Sequence, residues 1–189
     1  MRGVMLEVPQ WFLYQRRKSG ADRRDEVWDG VLHLPPIPSN EQQRLIGDLF
    51  LWLSMHWAPH SSGRVLVEVK VARGADWEQN YRVPDLALLM PGGKACDRRE
   101  YFEGGPDVLI EVRSSDDETY EKLPFYAEIG VRELWVVDRD SKAVEVHALE
   151  GDAPRTVPAD AAGWIASAAT GLELWTIGER VEMRWQSER

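Results

Sequence analysis

Residues 107–115 read DVLIEVRSS. Val108, Leu109, Ile110 and Val112 make a short continuous apolar run, the pattern of a strand buried on both faces. Glu111 stands inside that run. A carboxylate carried into an apolar interior costs several kcal/mol unless a cation, hydrogen bonds or a metal ion compensates it. The stretch therefore predicts both a buried strand and a reason for its charge. Two readings of Glu111 stay open on these residues alone: a structural ion pair with Arg113 or Lys122, or a metal ligand.

Upstream, YRVPDLALLM (81–90) reads as another strand, and Pro84 marks either a sheet edge or the point where the chain joins the strand. Asp85 begins its apolar run, so it too is a carboxylate set against a hydrophobic strand. Asp85 and Glu111 are 26 residues apart, enough for a strand, a loop and the next strand. On neighbouring strands the two carboxylates converge and repel, and a divalent cation between them resolves the repulsion. Oxygen-only donors point to Mg²⁺ or Mn²⁺ rather than Zn²⁺. Arg113, two residues after Glu111, shares its strand face. Lys122 lies on the following helix. Either cation is placed to stabilise developing negative charge or to orient a water nucleophile.

Working outward, EVWDGVLHLPP (26–36) alternates around Asp29-Gly30, a hairpin signal, and Pro35, Pro36 and Pro38 end the ladder. Ser39 is an N-cap for an amphipathic helix over 40–57, with Gln42 three residues on. RVLVEVKVARG (64–74) alternates as a strand with Val65, Val67, Val69 and Val71 on one face. A helix over 119–129 carries Pro124 in its first turn. ELWVVD (133–138) and AVEVHAL (143–149) pair around the turn RDSK. Residues 15–26, QRRKSGADRRDE, read as a charged exposed segment. The tail holds a Gly/Ala/Asp/Pro loop and the apolar GLELWTI. This order predicts an α+β fold: a mixed, mostly antiparallel sheet flanked by helices, in one domain over 1–189.

The 189 residues, 43% hydrophobic and 29% charged, suit one domain with a core of its own. No apolar run approaches the roughly 20 residues that span a bilayer, and MRGVMLEVPQWF lacks a secretory core. The single cysteine, Cys96, allows no internal disulfide and points to a reducing cytoplasm. Together with four scattered histidines (His33, His56, His60 and His147, read as structural or exposed), it argues against a zinc site. The net charge of −9 is unusual for a nonspecific nucleic-acid binder and fits a chain that spends carboxylates on a metal. Of nine tryptophans, Trp52 and Trp135 read as core. Gly92-Gly93-Lys94 is too short for a phosphate loop.

Taken together, Pro84-Asp85, E-V-x-S at 111–114, EKLPFYAEIGVRELWVVDRDSKAVEVH at 121–147, EVWDGVLHLPPIPSNEQQRLIGDL at 26–49 and GLELW at 171–175 resemble the Uma-type putative restriction endonuclease family, of the PD-(D/E)XK nuclease superfamily. The resemblance implies a restriction-endonuclease-like core and metal-dependent hydrolysis of phosphodiester bonds in nucleic acid, with DNA the expected substrate. It implies that Asp85 and Glu111 hold Mg²⁺ or Mn²⁺, assisted by the Val112 carbonyl. Lys122, four residues before Tyr126, takes the superfamily lysine's role. Glu26 offers a further ligand or water-orienting group. A homodimer is expected, since two sites cut two strands.

The sequence departs from the family pattern in two places. Gln42 stands where the family often has histidine, and the 111–122 segment is short, which keeps Arg113 as the alternative cation. Glu68-Val69-Lys70 is a literal E-x-K but precedes Pro84-Asp85, and reads as a solvated strand face. Two other functions remain open: a catalytically silent nuclease-fold module that binds protein or nucleic acid, and a hydrolase of smaller phosphodiesters.

Overall fold

The computed structural model describes residues 3–6, 8–114, 117–151 and 153–186. In chain order it begins with β1 (Gly3–Met5), α1 (Gln10–Ser19), β2 (Glu26–Trp28), β3 (Val31–Leu34) and α2 (Asn40–Trp52). A wide π-type turn, Leu53–Trp57, and the short α3 (Ala58–Ser61) extend α2. Then come β4 (Arg64–Val67), β5 (Val71–Ala72), β6 (Tyr81–Arg82), β7 (Leu86–Leu89), β8 (Cys96–Asp97), β9 (Phe102–Glu103) and β10 (Val108–Arg113). A 3₁₀ turn, Tyr120–Lys122, leads into α4 (Leu123–Glu128), followed by β11 (Glu133–Asp138), β12 (Val144–Ala148) and β13 (Arg155–Thr156). β14 (Ile165–Ala166), β15 (Leu172–Ile177) and β16 (Arg180–Trp185) complete the chain.

The central sheet runs β13-β12-β11-β10-β7-β4. β10 and β11 are parallel, joined through α4, and the other neighbours in this sheet are antiparallel. Alternation on β10 assigns its two faces. Val108, Ile110 and Val112 pack with Leu45, Ile46, Leu49, Leu53 and Trp57 of α2 and its extension. Leu109 packs with Phe125, Tyr126 and Ile129 of the α4 segment. Glu111 shares Leu109's face, which is why it meets α4 rather than α2. Val108, Leu109 and Ile110 are fully buried, each worth roughly 1.5–3 kcal/mol of transfer free energy.

A second sheet, β1-β3-β2-β6-β5-β9-β8, adjoins the first, and β14-β15-β16 form a third that adds Leu172, Leu174 and Met183 to the α2-side core. Ser39 caps α2 as expected, accepting from the Gln42 N–H at 3.2 Å. Trp135 is fully buried; Trp52 only borders the core, and Trp57 is the fully buried tryptophan of that helical segment.

Two expectations are corrected, and one helix is added. The strand expected over 64–74 is broken in two, because Glu68 has φ +50° and turns the chain from the central sheet into the second. Val67 is consequently exposed and the valine stripe is interrupted. The strand expected over 81–90 splits at Val83-Pro84-Asp85, with β6 in the second sheet and β7 inside the central one, so Pro84 marks a junction and not an edge. Residues 10–19 of the N-terminal region form α1, which ends at Gly20 with φ +71°. No residue of α1 is buried, so it lacks the apolar stripe that reveals a helix in sequence.

Candidate active site

The seam between the two large sheets gathers the charged residues. Glu26 comes from β2, Asp85 from the junction before β7, Glu111 from β10, and Lys122 from the turn into α4. All four line one cleft of about 90 Å³, with Arg24, His33, Gln42, Val112 and Glu118 among its other walls. Glu26, Asp85 and Glu111 are each buried.

Lys122 Nζ donates to Glu26 Oε1 at 2.8 Å and to Glu111 Oε1 at 3.0 Å. Tyr126, one turn further along α4, donates its hydroxyl to the same Glu111 oxygen at 2.6 Å. The short segment after Glu111 thus still lets Lys122 reach it. Glu26 is held further by the Val83 N–H and the Trp28 indole N–H, both at 2.8 Å. Trp28 stacks on His33, ring centres 4.2 Å apart, and the Arg82 guanidinium lies 4.2 Å from the Trp28 ring centre.

Asp85 accepts from the Val112 N–H at 2.7 Å on one oxygen and from Arg24 Nη2 at 2.5 Å on the other. The register of β10 against β7 lets Asp85 cap the strand that carries Glu111. Val112's carbonyl in turn accepts from Gln42 Nε2 at 3.0 Å. The residue that departs from the family pattern is therefore bonded to the backbone beside Glu111.

Burial pushes the Glu111 carboxyl up to about 7; Lys122 opposes the shift, and Asp85 and Glu26 add to it. Burial also raises Asp85, against the pull of Arg24 and the Val112 N–H. Burial alone would lower the Lys122 ammonium, but Glu111 and Glu26 outweigh it and hold it above its ordinary value. Tyr126 is raised well above its usual range by burial and by Glu111. Burial is the largest cause at both carboxyls, and neighbouring carboxylates add to it at Glu111.

Arg113 does not join this cluster. It lies on Glu111's strand face, but its guanidinium pairs with Asp138 at 3.5 Å and sits 5.1 Å from the Tyr120 ring centre. Glu68, read as solvated, is instead half-buried, with Arg24 Nε 3.4 Å from its Oε1. Sequence reasoning missed Arg24 and the pair His33–Glu118, 2.9 Å apart in the cleft wall. The hairpin register, which sets His33 opposite Glu26, was the available signal for His33.

Among the described residues, no group of three or more His, Cys, Asp or Glu side chains is gathered to hold a metal ion. The donors nevertheless fit a hard divalent ion in kind. Asp85, Glu111 and Val112 line one cleft, and the described hydrogen bonds to Glu111 fall on Oε1 alone.

The family described as "Uma2: Putative restriction endonuclease" matches residues 11–180. The chain belongs to the Uma2 family. A solved structure described as a putative nuclease belonging to DUF820, from Anabaena variabilis, superposes with TM-score 0.60 over 77% of this chain and 83% of that one, at 16% identity. That likeness places the Uma2 chain in the restriction-endonuclease-like fold. No curated protein matches it at a significant level. No helix among the described residues is long and apolar enough to cross a membrane.

Proposed function

We propose that this Uma2 chain is a metal-dependent endonuclease that hydrolyses phosphodiester bonds in DNA. One observation carries the reading: Glu26, Asp85, Glu111 and Lys122, from four separate segments, meet in a single cleft. Membership of a family described as "Putative restriction endonuclease" supports it.

In this reading Asp85, Glu111 and the Val112 carbonyl hold Mg²⁺ or Mn²⁺. Such an ion, when bound, lowers the pKa of a water and polarises the scissile phosphate. Two of the three N–H groups of Lys122 are engaged by Glu26 and Glu111, which leaves one for a phosphate oxygen. The two carboxylates fix the ammonium's position and keep it charged. Glu26, held by Trp28 and the Val83 N–H, sets the height of Lys122 above β10 and offers an oxygen to orient water. Tyr126 restrains Glu111 from the helix side. Arg113 takes no part. The whole chain, 1–189, acts as one nuclease domain; pairing into a homodimer would bring two clefts to two strands. The single cysteine fits a reducing cytoplasm.

A second reading, a catalytically silent nuclease-fold module, is favoured by one feature. Arg24 on Asp85 and Gln42 on the Val112 carbonyl occupy the very oxygens a metal would take. Supercoiled plasmid with Mg²⁺ or Mn²⁺ separates the two readings. The nuclease reading expects nicking that Glu111→Gln and Lys122→Met each reduce by about 10²-fold or more. Plasmid binding without cleavage in either metal gives the silent module instead.

A further inference from the structure

We propose that Arg24 is a built-in competitor for the metal, a guanidinium that must release Asp85 before a divalent ion binds and that Glu68 then retains. This inference rests on the reading of Asp85 and Glu111 as metal ligands.

Asp85 is buried, and its two oxygens are held in different ways. The Val112 N–H belongs to the strand beside it and fixes the carboxylate's orientation. Arg24 comes from the turn between α1 and β2, 61 residues away, and puts Nη2 on Oδ1 at 2.5 Å. A guanidinium and a divalent ion on that oxygen are two cations in contact, and their mutual repulsion makes them compete for it. Arg24 therefore neutralises Asp85 in the metal-free protein, where an unpaired buried carboxylate would be costly.

The guanidinium has a second anchor already in place. Its Nε lies 3.4 Å from Glu68 Oε1, and the Glu68 N–H donates to the Asp85 carbonyl at 3.2 Å. Glu68 is half-buried at the left-handed turn that ends β4. Arg24 can thus leave Asp85 by rotating about its own side chain, without leaving the cleft wall. Formal charge favours the exchange. Around the cleft the carboxylates Glu26, Glu68, Asp85, Glu111, Asp117 and Glu118 outnumber the cations Lys122 and Arg24, so negative charge remains for a divalent ion to balance.

The test is a Mn²⁺ titration followed by the electron paramagnetic resonance of the free ion, on the wild type, Arg24→Gln and Arg24→Gln/Asp85→Asn, each checked by its melting temperature. The expected result is at least about tenfold tighter binding by Arg24→Gln, a larger rise in its melting temperature with Mn²⁺, and loss of both in the double variant. Binding by Arg24→Gln alone, with none by the wild type, supports the proposal equally. A wild type that binds Mn²⁺ as tightly as Arg24→Gln overturns the role of Arg24 and leaves the metal site standing. No binding by any variant removes the metal site and Arg24's role with it. If Arg24→Gln does not fold, nitrogen-15 spectra of the wild-type guanidinium groups decide: the Arg24 signal must shift on Mg²⁺ saturation, and an unmoved signal overturns the proposal.

Discussion

Lys122 and Tyr126, four residues apart where the 3₁₀ turn runs into α4, bond the same oxygen of Glu111 at 3.0 and 2.6 Å. Turn and helix thus bring ammonium and phenol to one carboxylate oxygen on β10. This coupling makes the site testable through stability as well as through activity.

Lys122→Met removes the positive charge shared by Glu26 and Glu111 and leaves two buried carboxylates facing each other. Stability should fall by about 3–5 kcal/mol at neutral pH. Adding Glu111→Gln should recover part of the loss, a coupling of about 0.5–3 kcal/mol in a double-mutant cycle read by urea denaturation. Strict additivity would mean that the two side chains do not interact.

Tyr126→Phe deletes one charge-assisted hydrogen bond and nothing else of comparable size. It should cost about 1.5–3 kcal/mol. Because Lys122 keeps its bond to Glu111, Tyr126→Phe should reduce activity far less than Lys122→Met. Equal losses of activity would contradict the division of labour argued for the two residues.

The pH dependence of stability follows from Glu111. Its carboxyl titrates near 7 in the folded chain, against about 4.5 when unfolded, through burial partly offset by Lys122. The folded state therefore holds a proton that the unfolded state has lost between those values. Stability contributed at this group is present below about pH 4.5 and is lost as pH rises toward 7. Metal-free wild type should weaken over that window relative to Glu111→Gln in denaturant titrations at several pH values. A constant difference between the two would place the Glu111 carboxyl at its ordinary value.

Gly105 tests the frame that holds the site. A Cβ there would meet the Val131 backbone nitrogen at 2.2 Å and the Gly130 carbonyl carbon at 2.5 Å, on the loop that ends α4. Backbone cannot move aside as a side-chain tip can, so Gly105→Ala should cost about 1–3 kcal/mol or more. An unchanged melting temperature would mean that β10 and the α4 loop are not packed this closely.

How much of this was legible depended on the distance over which each residue acts. Glu111, Asp85 and Lys122 announce themselves locally, as carboxylates on apolar runs and a lysine one helix later, and the cleft brings them together with Glu26. Arg24 and Gln42 do not, because their partners lie 61 and 70 residues away and no pattern in the chain pairs them. Arg113 shows the limit of periodicity. Alternation assigns its face correctly, but two residues along a strand is a rise of about 6.6 Å. At that height its neighbours are Asp138 and Tyr120, not Glu111. The broken strands were hidden for a related reason. One residue in a left-handed conformation at Glu68 redirects the chain while leaving the alternation of valines intact in the sequence.

The central claim is that Asp85 and Glu111 together hold a divalent metal. Calorimetric titration of Mg²⁺ and Mn²⁺ into the wild type, Asp85→Asn and Glu111→Gln tests it most directly. The account predicts one site in the wild type and its loss in both variants. Binding that survives both substitutions unchanged, or a wild type that binds neither ion with or without DNA present, would contradict it.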